Sequence, residues 1–241
     1  MKILALGDPH GKLPKNLDSL IKKNKVETII CTGDFAFTPD KPWLKESWKG
    51  ISDSFVIKSY KKVVDELCSY GIPLLTLRGN MFLNKKKIAD KILRKHKNLI
   101  NRYTAKYKLN HEEFIFFDLS YELSTLMKDQ KQDIFFKSRL KKNNGREKRL
   151  NELLKENSNS ILITHNPPYG VVDKAWNGEH VGSKILLNAI KKYQPKYVFC
   201  GHIHEAKGRA KIGETIIYNL GCRGDYIILD TDKNKIVTSN F

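Results

Sequence analysis

Five short apolar runs in this 241-residue sequence end in side chains able to bind a metal ion. They close on Asp8-Pro9-His10, Gly33-Asp34, Gly79-Asn80, Thr164-His165 and Gly201-His202-Ile203-His204. Imidazole nitrogens mixed with carboxylate and amide oxygens suit borderline and hard divalent ions such as Mn²⁺, Fe²⁺, Zn²⁺ or Ni²⁺. Each piece alone is weak. A D-x-H triplet arises by chance, a lone His after a strand is usually structural, and Gly-Asp and Gly-Asn are ordinary turn dipeptides. Their shared placement is the signal. Ligand sites in open α/β sheets lie beyond the carboxyl ends of the strands, so one edge would collect Asp8, His10, Asp34, Asn80, His165, His202 and His204. Glycine before Asp34, Asn80 and His202 permits a sharp bend or a close backbone approach.

The elements that must position these residues follow from periodicity. KILALGD at 2–8, VETIICTGD at 26–34, IPLLTLRGN at 72–80, SILITHNPP at 160–168 and KYVFCGHIHE at 196–205 read as buried strands. The spacing of Leu17, Leu20 and Ile21 predicts a helix over 14–25. Further helices are expected over 54–70, with Gly71 as the stop, over 84–96, and over 183–193, with Ser183 as the cap. The stretch 104–120 reads as two strands joined by a turn at 110–112, and the runs ETIIYNLG and DYIILDTDKNKIVTSNF read as strands with a turn at 232–234. The polar, charged segment 121–157 predicts helix, broken near 143–145. The whole reads as one α/β domain over 1–241 with mixed sheets packed face to face, 121–157 forming a basic helical insertion or cap.

Composition narrows the classes. Hydrophobic residues make up 40% and charged residues 29%, which fits a soluble globular chain rather than a disordered one. No apolar run approaches the roughly 20 residues that span a bilayer, so no membrane partner is expected. The opening MKILALGDPHGK stops being apolar at Gly7 and Asp8 without a cleavage signature, and reads as a strand. Cys31, Cys68, Cys200 and Cys222 show no C-x-x-C pair, which points to buried free thiols in a reducing cytoplasm. With 44 Lys+Arg against 26 Asp+Glu the net charge is +18. That attracts polyanions, yet the lysines are scattered through almost every segment, as in a Lys-rich surface without a binding groove.

In order and placement the ligand set resembles the calcineurin-like metallophosphoesterase family, whose pattern runs D-x-H, G-D, G-N-H-[DE], a lone His, then G-H-x-H. The resemblance spans 8–221. THNPPYG, GEHVGSKILLNAIKKYQPKYVFCGHIHE and Tyr218-Asn219-Leu220-Gly221 are similar to a cytoplasmic archaeal and bacterial, phosphodiesterase-like branch. The resemblance implies a four-layer α-β-β-α sandwich, two packed mixed β-sheets flanked by helices. It implies two divalent ions, Mn²⁺ first, with Fe, Zn, Ni or Mg as alternatives. Asp8, His10, Asp34 and His204 would hold one ion, and Asp34, Asn80, His165 and His202 the other, with Asp34 bridging. The implied activity is that of a binuclear phosphoesterase, cleaving phosphodiesters rather than monoesters through a hydroxide between the ions. One position departs. The family's His after Gly-Asn acts near the leaving-group oxygen; here Met81 stands in its place, and Phe82 replaces the acidic residue that orients it. Met81 can neither donate nor accept a proton, and losing a general acid typically costs on the order of 10²–10⁴-fold.

Other residues are candidates to compensate. His180 reads either as a phosphate or proton-transfer group or as a loop residue with a structural hydrogen bond. Arg78, beside Gly79-Asn80, reads as a phosphate contact or a surface ion-pair partner, and Arg223 shares that ambiguity. Asn166 follows His165 and is placed to orient it. Trp43, Trp48 and Phe55 read as a loop packing onto the core, or as a wall for an aryl or nucleoside leaving group. The segment 128–155, with Lys137, Arg139, Lys141, Lys142, Arg146, Lys148 and Arg149, reads as a solvated helix or as a phosphate-binding face. His96 and His111 receive no role. The expected substrate is a small phosphodiester acted on by a cytoplasmic monomer or homodimer. Two alternatives stand beside it. One is a weakly active or non-catalytic metal-binding scaffold, because a membrane-trafficking subunit of this fold also lacks the His. The other is a nuclease, favoured by charge alone and by no motif.

Overall fold

The fold is taken from a computed structural model, which describes residues 1–41, 44–81, 86–118 and 133–240. In chain order its elements begin β1 (Lys2–Leu6), α1 (Leu17–Asn24), β2 (Thr28–Cys31), α2 (Asp53–Ser69), β3 (Leu74–Thr76), α3 (Lys86–Leu93), β4 (Leu99–Asn101), β5 (Thr104–Leu109) and β6 (Glu112–Phe117). They continue with α4 (Asp133–Glu156), β7 (Ile161–Thr164), α5 (Lys184–Tyr193), β8 (Tyr197–Cys200), β9 (Gly208–Ile212), β10 (Thr215–Asn219), β11 (Tyr226–Asp230) and β12 (Lys235–Ser239). The chain divides into two compact units, Met1–Asn101 with Leu220–Phe241, and Arg102–Asn219.

The first unit is a six-stranded mixed sheet in the order β12-β11-β1-β2-β3-β4. Strands β1 to β4 run parallel, while β11 lies antiparallel to β1 in register Lys2↔Asp230 to Leu6↔Tyr226. β1, β2 and β3 are buried on both faces, which is why they read as unbroken apolar runs. On one face Leu4, Leu6, Ile29, Cys31 and Leu74 meet Leu20 and Ile21 of α1, Tyr60, Val64 and Leu67 of α2, and Ala89 and Ile92 of α3. Each fully buried Leu or Ile contributes about 1.5–3 kcal/mol. The second unit is also six-stranded and mixed, ordered β5-β6-β7-β8-β10-β9, with the antiparallel β5 and β9 at its edges. Ile115, Leu162, Val198 and Ile217 pack there against Leu150 and Leu154 of α4 and Leu186 and Ile190 of α5.

Most expected elements are present, including the Ser183 cap, whose hydroxyl accepts from the Leu186 amide, and the turn between β5 and β6. Three expectations need correction. The helix α4 runs unbroken through 143–145. A helical glycine costs about 1 kcal/mol, less than the burial of Leu150, Leu153 and Leu154 in the following turns returns. The run at 72–80 forms strand only over β3, because its last residues turn out of the sheet to shape the site. The strands β4 and β9 were not anticipated. They are sheet edges, only half-buried, and lack a continuous apolar run. Residues 119–132, Trp43 and Phe82 lie outside the described residues, so the insertion's first part and the acidic-residue replacement do as well. No described helix is long and apolar enough to cross a membrane.

Candidate metal centre

In the first unit the sheet ladder does not stop at β1. Asp8 forms an isolated parallel bridge with Cys222: its amide donates to the Gly221 carbonyl at 3.0 Å, and its own carbonyl accepts from the Arg223 amide at 2.9 Å. Its buried carboxylate is fixed in rotation by the Thr32 hydroxyl, which donates to Oδ1 at 2.7 Å. Two residues on, the His10 amide donates to the Asp34 carbonyl at 2.9 Å, tying the ends of β1 and β2 together. The His10 ring donates Nδ1–H to the Ala36 carbonyl at 3.4 Å. That contact selects the tautomer with its lone pair on Nε2, the arrangement metal-binding histidines adopt.

Asp34 lies at the end of β2 against the turn that follows β3. Its amide donates to the Arg78 carbonyl at 3.1 Å, and its Oδ1 accepts from the Met81 amide at 2.9 Å. The approach is close enough to require glycine at 79, where φ is 78° and a Cβ would lie 2.1 Å from Asp34 Oδ1. Asn80, half-buried, follows directly. Arg78 is buried, and its guanidinium pairs with Asp90 of α3, so it is no surface residue. Cys31 lies behind this edge. Burial, reinforced by the charges of Asp8 and Asp34, pushes its thiol well up, and it stays neutral.

In the second unit His165 is fully buried at the end of β7, and its carbonyl accepts from the Gly201 amide at 3.0 Å, joining the ends of β7 and β8. The rings of His165 and His202 lie 4.9 Å apart between centroids. His204 opens a 3₁₀ turn, His204–Ala206. Asn166 is buried beside His165, and its Oδ1 has no hydrogen-bond partner among the described residues.

Backbone conformation marks the same residues. Nine non-glycine residues among those described have positive φ, and three are expected ligands: His10 at 45°, Asp34 at 48° and His202 at 67°. Asp and His tolerate this region better than most residues, yet it remains uncommon, and such conformations cluster at functional sites.

The remaining candidates divide. His180 is exposed on the loop after β7, and its Nδ1 lies 2.6 Å from Oδ1 of the buried Asp173. Arg223 donates to the Thr38 carbonyl at 2.7 Å and pairs with Asp40. Trp48 packs against the first unit's core, while Phe55 is half-exposed and meets Phe37 edge-on. His96 pairs with Asp65 and His111 with Glu112. The sequence reading missed Thr32, Asp173 and the role of Asn219, whose amide donates to the carbonyls of Val172 at 2.9 Å and Ile203 at 2.8 Å. Only Thr32 carried a signal, its position just before Gly33-Asp34.

Carboxylate, amide and imidazole donors at the carboxyl ends of α/β sheets define a class of metal-dependent hydrolytic folds. The profile of calcineurin-like phosphoesterases matches residues 1–206, and the chain belongs to that family. It is thus, in coarse terms, a metal-dependent phosphoesterase. An uncharacterized protein of Methanocaldococcus jannaschii, MJ1162, is 27% identical over 252 aligned residues, covering 100% of this chain and 97% of that one. Among solved structures, TT1561 of Thermus thermophilus matches with a TM-score of 0.60 at 16% identity, covering 99% of this chain and 97% of that one. A dimetal phosphatase from Danio rerio matches with a TM-score of 0.58 at 10% identity, covering 95% and 91%. At these identities the two structures speak to the fold, two mixed six-stranded sheets flanked by helices.

Proposed function

We propose that this protein is a binuclear metal-dependent phosphodiesterase acting on a small phosphodiester. The observation that carries the reading is the ligand set itself: all seven residues lie at strand ends, and three of them hold left-handed backbone. The donor chemistry fits the ions. Thr32 orients Asp8, Ala36 selects the His10 tautomer, the Met81 amide orients Asp34, and the polar Oδ1 of Asn166 is buried beside His165. Asp8, His10 and His204 would serve one ion, Asp34, His165 and His202 the other, with Asp34 bridging and Asn80 completing the second set. Two such ions, Mn²⁺ first, would supply charge neutralisation at the phosphoryl oxygens and acidify a water.

Met81 keeps a structural task at the position of the family's His, since its backbone, not its side chain, steers Asp34. The proton for the leaving group then comes from elsewhere, and His180 is the candidate. Arg78 is committed to Asp90, which supports a positioning role at the Gly79-Asn80 turn over a direct phosphate contact. The three buried thiols Cys31, Cys68 and Cys200 support a reducing, cytoplasmic setting.

The test is calorimetric titration with Mn²⁺ together with hydrolysis of bis(4-nitrophenyl) phosphate. Two ions per chain and turnover that depends on them are expected, with both reduced below detection by Asp34→Ala. Binding of two ions without turnover across metals and pH would sink the enzymatic reading.

A further inference from the structure

Val172 is β-branched and stands at φ 48°, a region β-branched residues almost never occupy. A fold retains such a conformation only where its surroundings impose it. Here the fully buried Asn219 amide holds the Val172 carbonyl and the Ile203 carbonyl together. The loop is tied a second time where the Trp176 amide donates to Glu205 Oε1 at 2.8 Å. Both ties run to the segment that carries His202 and His204.

The strained residue delivers its neighbour, Asp173, into full burial. A buried carboxylate needs donors, and this one has three. The amides of Gly170 and Gly182 each donate to Oδ2 at 2.8 Å, and His180 meets Oδ1 through Nδ1 at 2.6 Å. No side chain is admitted at 182, where a Cβ would lie 2.6 Å from the Pro168 carbonyl carbon and 2.8 Å from Asp173 Oδ2. His180 is gripped at Nδ1 and remains 44% exposed. On its flank the backbone of Lys174 forms an isolated antiparallel bridge with it, and Lys184 Nζ lies 5.1 Å from the centre of the Tyr169 ring, itself 6.0 Å from the imidazole.

We infer that Asp173 is a positioning residue for His180, and that Nε2 of His180 delivers the leaving-group proton that Met81 cannot. The inference rests on the phosphodiesterase reading above. In the step, a water oxygen bonds to phosphorus while the bond from phosphorus to the leaving oxygen breaks. That bond's electron pair stays on the leaving oxygen, which takes the Nε2 proton of the His180 imidazolium; the attacking water gives its proton to solvent. The neutral ring keeps Nδ1–H on Asp173 and regains its Nε2 proton from solvent.

Asp173→Asn separates positioning from structure. Its amide oxygen can keep the Gly170 and Gly182 donors while its NH₂ faces His180 Nδ1, which must then accept, so the neutral ring carries its proton on Nε2. Long-range proton–nitrogen NMR of the Zn²⁺-loaded full chain should show the Nδ1–H form in the wild type and the Nε2–H form in the variant. In the Mn²⁺-loaded protein, Asp173→Asn and His180→Gln should each lower kcat on diphenyl phosphate by about 10²–10⁴-fold. The loss on bis(4-nitrophenyl) phosphate, with its better leaving group, should be at least about tenfold smaller. His180→Gln leaves the buried carboxylate in place, which covers a folding failure of the other variant. Equal losses on the two esters, or an Nε2–H wild type, overturn the inference and leave the phosphodiesterase reading standing. A wild type that binds two ions and cleaves neither ester overturns that reading, and the proton-donor role with it.

Discussion

Gly79 and Gly71 form a natural pair of probes. Both have left-handed backbone, φ 78° and 71°, but a Cβ at 71 meets nothing within 4 Å, whereas one at 79 lies 2.1 Å from Asp34 Oδ1 and 2.5 Å from the Asp34 amide nitrogen. Alanine at either position incurs the left-handed cost of roughly 1–2 kcal/mol. Only at 79 does overpacking add about 1–3 kcal/mol. For a chain of this size each kcal/mol moves the melting temperature by about 2–4 °C. Gly71→Ala should therefore lower Tm by about 4 °C and Gly79→Ala by about 10 °C in scanning calorimetry of the metal-free protein. Excess Mn²⁺ should raise the wild-type Tm, since ligand at a hundredfold Kd stabilises by about 2.7 kcal/mol per site. Gly71→Ala should keep that increment, and Gly79→Ala should lose most of it because Asp34 is displaced. Equal Tm losses in the two variants, or a full Mn²⁺ increment in Gly79→Ala, would refute the close-approach argument.

Arg78→Met should lower stability by about 3 kcal/mol, because it leaves the Asp90 carboxylate without its buried partner; urea melts showing that Arg78→Met and Asp90→Asn simply add in the double variant would contradict the pairing. Asn219→Ala strands two carbonyls and should cost about 2 kcal/mol, with faster amide hydrogen exchange over 170–182; unchanged exchange there would remove Asn219 as the loop's fastening. Burial pushes the Cys68 thiol from 9.0 to about 12. The native thiol thus keeps a proton the unfolded one releases, so stability is full below pH 9 and declines from there toward pH 12. The slope should flatten in Cys68→Ala, and an unchanged slope in that variant's urea midpoints would assign the decline to other groups.

The strand-end placement of the seven candidate ligands was legible because each follows an apolar run, and a doubly buried strand cannot disguise itself: Ile29, Ile30 and Cys31 have no polar alternation. The sheet edges were not, since half-buried strands such as β9 carry lysine and arginine as readily as a loop does. Nor were the residues that hold the candidate ligands and His180 in place. Asp173 looks like any loop aspartate until the fold brings Gly170, Gly182 and His180 around it, and contacts across 47 residues, as from Asn219 to Val172, leave no trace in local pattern. The Met81 side chain has no proton to give, and the contact from its backbone amide to Asp34 Oδ1 could not be anticipated, because backbone amides are invisible to residue type.

Sheet order also sets a schedule. β1 is synthesised well before one of its two partners, β11, and before Cys222, which bridges to Asp8. Until then Ile3, Leu4, Ala5 and Leu6 present an apolar strand with an open edge, the kind of surface that recruits foreign strands. A nascent chain stalled before residue 220 therefore carries an aggregation hazard at β1. Asp8 is the first of the seven candidate ligands to be synthesised, yet its bridge waits for Cys222.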